Sequence, residues 1–235
     1  MKLNDDLYVL PLPSPMGNPL NVSLIVDALH GPTLVDTGLP RQRDAINTAL
    51  AEADLPMTAL KRIILTHQDV DHVGSLHDLV DASGARVLAS PTETPYIDGA
   101  DTPRFLRPEM LAQRPQLHAV AAIFQYTPVN EQLADGMRLD LAGGVRVIAT
   151  PGHTPGHISL YLERTKTLIT GDALTADAGH LQGPNQSATP DWAQAVQSVQ
   201  KLAALDVQTI VCYHGGVVQD DANGQLQRVA QELLS

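Results

Sequence analysis

The apolar run Ile63-Ile64-Leu65 passes directly into Thr66-His67-Gln68-Asp69-Val70-Asp71-His72, and this junction constrains the fold more than any other segment. Two imidazoles and two carboxylates occupy six consecutive positions. An aliphatic run that stops at such a cluster reads as a buried strand delivering a polar loop. Rigid scaffolds present metal ligands from strand ends of this kind. The His-x-Asp and Asp-His spacings let the side chains converge on one or two divalent ions. The alternative is a solvated polar turn after a buried strand, which has no need of four donors.

Two ions need more donors than one loop supplies, and three later segments offer them. Pro151-Gly152-His153-Thr154-Pro155-Gly156-His157 follows a strand, and its prolines and glycines form a rigid turn that can aim an imidazole. Thr170-Gly171-Asp172 ends a second strand with a carboxylate able to bridge two ions. Tyr213-His214-Gly215-Gly216 ends a third. Each donor therefore stands at a strand terminus, as convergence on one edge of two sheets requires.

Strands and turns fill the first third of the chain. Leu7–Leu10, Val22–Val26 and Thr33–Val35 read as strands, the last running into Asp36-Thr37-Gly38. Residues 41–53 show helical spacing, a strand covers 60–65, and Val73, Leu76, Leu79 and Val80 mark one helix ending near Gly84. Arg86–Ala89 is a further strand. The proline-rich stretch 91–130 reads as an insertion with short helices covering one side of the site, or as a plain connector. Strands then return at 137–141, 145–148, 158–162 and 167–170. A helix follows at 190–204, started by Thr189 or Asp191, then a strand at 207–212 and a helix at 221–234. Two groups of strands, each followed by helices, predict an α+β fold: a four-layer αββα sandwich of two packed sheets, formed by one domain over residues 1–235.

Composition narrows the partners. A net charge of −11 argues against nucleic acid, because a phosphate backbone needs a basic surface. No segment approaches the length that spans a bilayer, and no signal peptide is evident, so a cytoplasmic protein is expected. Hydrophobic content of 43% supports a sizeable core. Cys212, the lone cysteine, lies in the apolar Thr209-Ile210-Val211 context and reads as a small buried strand residue. The expected partner is a small molecule, with a homodimer as the candidate assembly.

The ordered set His67-x-Asp69-x-Asp71-His72, His153, Asp172 and His214, preceded by Asp36-Thr37-Gly38, resembles the metallo-β-lactamase superfamily over nearly the whole chain. The resemblance implies two divalent ions, zinc first. His67, Asp69 and His153 would hold one ion and Asp71, His72 and His214 the other, with Asp172 bridging. It also implies that Asp36 braces the ligand loops, and His157 shares the rigid turn and could do likewise. The usual family pattern is His-x-His-x-Asp-His, so Asp69 stands where a histidine is common. Four positive charges from two ions against three carboxylates leave +1, where a histidine would leave +2. That balance weakens Lewis acidity and brings manganese or iron into consideration.

By the same resemblance the chain is a hydrolase. A metal-bound hydroxide would attack a small carboxylic ester, lactone or thioester, as in lactonases and glyoxalase II-like enzymes. Asp71 would orient the nucleophile and pass a proton to the leaving group. Phosphodiester hydrolysis, iron-dependent persulfide dioxygenation and a non-catalytic metal-binding role are the alternatives. His180, Tyr96 and Phe105 are candidate substrate contacts, although His180 could be a loop residue and the aromatics could anchor the insertion. His30, His77 and His118 have no motif context.

Overall fold

The computed structural model describes residues 1–15 and 17–234. Its first part contains β1 (Leu7–Leu12), β2 (Leu20–Ile25), β3 (Thr33–Val35), α1 (Arg43–Ala51) and β4 (Arg62–Ile64). The ligand segment runs from Thr66 into α2 (Val70–Val73), and α3 (Leu76–Ser83) and β5 (Arg86–Ala89) follow. The insertion carries α4 (Thr94–Asp98), a 3-10 turn at Arg104–Leu106, α5 (Pro108–Gln113) and α6 (Leu117–Ala121), and leaves through β6 (Glu131–Gln132). The second part runs through β7 (Arg138–Leu139), β8 (Val145–Ala149), β9 (Ile158–Leu162) and β10 (Thr167–Ile169). It continues with β11 (Thr175–Asp177), β12 (His180–Gln182), α7 (Trp192–Ala203), β13 (Thr209–Cys212), β14 (Gly216–Val218) and α8 (Ala222–Glu232).

Strands β1 to β6 form one sheet in sequence order, and the other is ordered β14-β13-β10-β9-β8-β7. Side-chain alternation along each strand explains why these sheets stack. Leu7 and Val9 of β1 face a core shared with Leu160 and Leu162 of β9 and Val211 of β13. Leu10 and Leu12 point the other way, into a layer with Ile46 and Leu50 of α1 and Leu79 of α3. On the far side, Leu168, Ile210 and Cys212 pack against Val199 and Leu202 of α7 and Leu226 of α8. Three apolar layers between four layers of structure make the αββα sandwich, with period-2 burial setting each face.

The long helix expected after the ligand loop is broken at Gly74-Ser75. A Cβ on Gly74 would lie 2.4 Å from the Pro40 backbone nitrogen, and Ser75 Oγ donates to the Leu39 carbonyl at 2.6 Å. Docking against the Leu39–Pro40 segment therefore overrides helical periodicity. The sequence reading also passed over the β11–β12 hairpin, three residues a side, and the two-residue β6, which pairs parallel with β5. Asp191, of the two cap candidates, caps α7 by accepting from the Gln194 amide at 3.0 Å. Among the described residues no helix is long and apolar enough to cross a membrane.

Candidate metal centre

β3, β4 and β5 run parallel, as do β10 and β13, so their C-terminal ends collect on one edge. The sheets are sewn together there. The Ile158 amide donates to the Thr66 carbonyl at 3.0 Å, and the Asn21 amide to the Tyr213 carbonyl at 2.9 Å. The segments leaving β4, β8, β10 and β13 carry the seven donors named above into this seam, Asp71 and His72 from the helical turn α2 and not from a loop.

Three overlapping groups bring ligand atoms within 4.8 Å of one another: His67, Asp69 and His153; Asp71, His72 and His214; and His67, His72 and Asp172. Asp172 lies between the first two groups, its Oδ2 3.4 Å from both His153 Nε2 and His214 Nε2 and its Oδ1 3.2 Å from His72 Nε2. His67 Nε2, His72 Nε2 and Asp172 Oδ1 are buried without a hydrogen-bond partner. Buried polar atoms of proteins are mostly paired, and these three orphans cluster in one place, which fits a site built for cations.

Buried partners fix the ligand rings. His72 Nδ1 donates to Asp36 Oδ2 at 2.9 Å, leaving Nε2 turned to the centre. Asp36 also accepts from the Thr66 amide at 2.8 Å, a grip made possible by its left-handed backbone (φ 65°). The Asp172 amide donates to His157 Nε2 at 2.9 Å, so this nitrogen carries no proton and Nδ1 is the one that faces Thr150 Oγ1 at 2.8 Å. Burial, with the His153 imidazole nearby, lowers the His157 pKa to about 3, in keeping with a neutral ring. His157 thus braces Asp172. Gly171 allows the approach, since a Cβ there would meet His157 Nε2 at 2.6 Å.

Charge in the centre is tightly opposed. Burial disfavours the imidazolium of His214, but Asp172 and Asp71 outweigh it and push the pKa up to about 10. Burial disfavours a charged His72 as well, and Asp36, Asp172 and Asp71 together raise its pKa well above the ordinary value. His67 is shifted the other way, by burial and the neighbouring His72. Burial also opposes ionisation of Asp69, yet His153, His67 and Arg104 hold its carboxyl well below the usual carboxylate range.

Two side chains at this edge escaped the sequence reading. Glu93, fully buried after β5, accepts from the Gln68 amide at 3.0 Å and the Gly156 amide at 2.8 Å, tying the first ligand loop to the His153–His157 turn. Arg104, in the insertion, reaches both carboxylate oxygens of Asp69 and places Nη2 2.8 Å from His153 Nε2. Nothing local marks Arg104 apart from Arg107 or Arg114; the one clue was the extra carboxylate at 69, which calls for a countercharge. Counting this guanidinium returns the balance from +1 to +2 and cancels the charge argument for a harder ion.

The other candidate side chains have the following surroundings. Phe105 is buried (4% exposed), edge-on to Phe124 at 5.1 Å between ring centres, and anchors the insertion to the core. Tyr96 is half-buried with the Arg107 guanidinium 5.9 Å from its ring centre. His180 is exposed on β12, opposite Asp177. His30 faces Asp27 at 3.1 Å, His77 lies on α3, and His118 is exposed on α6.

Fold and donor geometry together define a class, and comparison with known proteins agrees. A family model described as the metallo-beta-lactamase superfamily matches residues 17–214. The chain belongs to this superfamily. It is 31% identical over 201 residues to the probable metallo-hydrolase YflN of Bacillus subtilis (strain 168), covering 79% of this chain and 76% of that protein. A hydroxyacylglutathione hydrolase of Cereibacter sphaeroides is 31% identical over 156 residues, 65% of this chain and 47% of the relative, so the match spans about half of that enzyme. Among solved structures, a metallo-beta-lactamase family protein from Thermus thermophilus superposes with a TM-score of 0.70 at 29% identity, over 99% of this chain and 79% of that one.

Proposed function

We propose that the protein is a metal-dependent hydrolase of small carboxylic esters, lactones or thioesters. The observation that carries this reading is the pair of three-donor groups flanking Asp172 at the sheet edge. His67, Asp69 and His153 would hold one divalent ion and Asp71, His72 and His214 a second, zinc being the ion we propose. Ions so held supply Lewis acidity to polarise a carbonyl and make water nucleophilic at neutral pH.

This chain's own residues do the rest. Asp71 Oδ2 lies 3.3 Å from His214 Nε2, and the side chain is 19% exposed, open to both the centre and solvent. The Tyr213 hydroxyl donates to the Asp71 carbonyl and holds that backbone in place. Asp71 can therefore take a proton from attacking water and return it to a leaving alkoxide or thiolate. Its Oδ2 position beside the ligand atoms suits this task better than any other carboxylate of the site, because Asp69 is bound to Arg104 and Asp36 is committed to His72. The acyl class is favoured over phosphodiesters by the net charge of −11 and by the similarity to a hydroxyacylglutathione hydrolase, whose named substrate is an acyl thioester.

The test is a screen of lactone, thioester, ester, phosphodiester and β-lactam substrates with zinc-, manganese- and iron-loaded protein. Turnover of an acyl substrate that depends on the added ion is expected. Ion-replete protein that hydrolyses no ester, lactone or thioester would overturn the proposal.

A further inference from the structure

Among the described residues, an arginine touches one of the two groups of ligands and not the other. Among the described residues, the ion pairs of Asp71, His72 and His214 run only to each other and to Asp36 and Asp172, with no arginine or lysine among them. The group of His67, Asp69 and His153 has a resident cation. Arg104 donates from Nε to Asp69 Oδ1 at 2.5 Å, from Nη2 to Asp69 Oδ2, and from Nη1 to the His153 carbonyl at 2.9 Å. Its backbone is fixed as well, since the Arg104 amide donates to Gln68 Oε1 at 2.9 Å inside the ligand loop.

The decisive contact is Nη2 to His153 Nε2 at 2.8 Å. A guanidinium has five N–H donors and no lone pair, so it cannot share a ligand's electrons with an ion as a water or a carboxylate could. An imidazole nitrogen has one in-plane valence. His153 Nε2 sits between Arg104 Nη2 and Asp69 Oδ2 (3.0 Å), and engaging either one uses that valence. This same atom faces Asp172 and belongs to the ligand set of the first position. An ion on His153 Nε2 and a guanidinium on His153 Nε2 exclude each other.

We propose that Arg104 is a built-in competitor for the first ion position, so that the two positions load in order. The Asp71, His72 and His214 position fills first. The His67, Asp69 and His153 position fills only when Arg104 gives up His153. Arg104 keeps its Nε bond to Asp69 Oδ1 in that step, because the carboxylate has a second oxygen to offer the ion. Asp69 thereby serves two masters where a histidine would serve one, which gives its presence at this position a physical purpose. The inference rests on the proposed reading of the site as an ion centre but not on any hydrolysis.

Calorimetric titration of the ion-free protein with zinc, with bound zinc counted by elemental analysis, tests it. Wild type is expected to show one tight and one weaker step, and Arg104→Met to strengthen only the weaker step, by about tenfold to hundredfold. Asp69→His, which removes the arginine's carboxylate partner, is expected to draw the two steps together. Nitrogen NMR of the wild-type arginine side chains needs no variant: the Arg104 Nη2–H signals, which report the contact given up, should hold through the first equivalent and move with the second. Two equal steps in wild type, a weaker step unchanged or further weakened in Arg104→Met, or an Arg104 signal that moves with the first equivalent would each overturn the proposal. Ordered loading in a protein that turns over no acyl substrate would leave it standing while the hydrolase reading fell.

Discussion

His72 Nδ1 donates a hydrogen bond to Asp36 Oδ2 across 2.9 Å, and both groups are buried. The acceptor-only carboxylate settles which ring nitrogen is protonated and leaves Nε2 to face the centre. An asparagine at 36 would lose one acceptor oxygen and could turn an N–H toward the His72 proton. Asp36→Asn is expected to weaken ion binding by about tenfold to hundredfold. Zinc titration of the folded variant checks this, and unchanged affinity would remove Asp36 from the support of His72.

Glu93 joins the two ligand-bearing turns by accepting from the Gln68 and Gly156 amides. Glu93→Gln leaves one amide without an acceptor, which costs about 1–3 kcal/mol. Burial raises the Glu93 pKa despite these bonds. A raised folded-state pKa means the native state holds the proton where the unfolded chain has released it. Its contribution is then full below the ordinary glutamate range and is lost as pH rises through the raised value. Denaturant titrations of both proteins should show the deficit of Glu93→Gln shrinking from pH 4 toward pH 7. A deficit that grows with pH would contradict the sign.

What could be read from the chain depended on whether partners are close in sequence. His67 to His72 lie within six residues directly behind an aliphatic run, so local spacing exposes both the strand and its cargo. His153, Asp172 and His214 are legible because each closes an apolar strand. Arg104 and Glu93 bind this same edge, yet their partners are fixed by how the insertion and β5 pack, which leaves no local pattern. The break at Gly74-Ser75 was hidden for the same reason: the Leu39–Pro40 backbone causes it from a different element. Strands of two or three residues, such as β6, β11 and β12, are too short for alternation to stand out.

Cys212 is fully buried in β13, and burial pushes its thiol up to about 12. The thiolate is the species that reacts with disulfide reagents. At pH 8.5 the folded protein should therefore be labelled about three orders of magnitude more slowly than the unfolded chain. Absorbance with a chromogenic disulfide, with and without denaturant, measures both rates. Comparable rates would show that β13 opens readily or that the thiol is exposed.

Asp71 offers a sharper test of the proposed chemistry because its two duties can be separated. Its Oδ2 lies 3.3 Å from His214 Nε2 and 3.9 Å from His72 Nε2, within the second ligand group. An asparagine at 71 retains an oxygen that can face an ion but cannot accept and return a proton. Asp71→Asn, loaded with excess zinc and with zinc content verified, is expected to lose about a hundredfold to ten-thousandfold in kcat on its acyl substrate. A KM close to that of wild type would place the loss in the proton transfer and not in substrate binding. Near-normal kcat with both ions retained would assign the proton transfer to another group and leave Asp71 as a ligand alone.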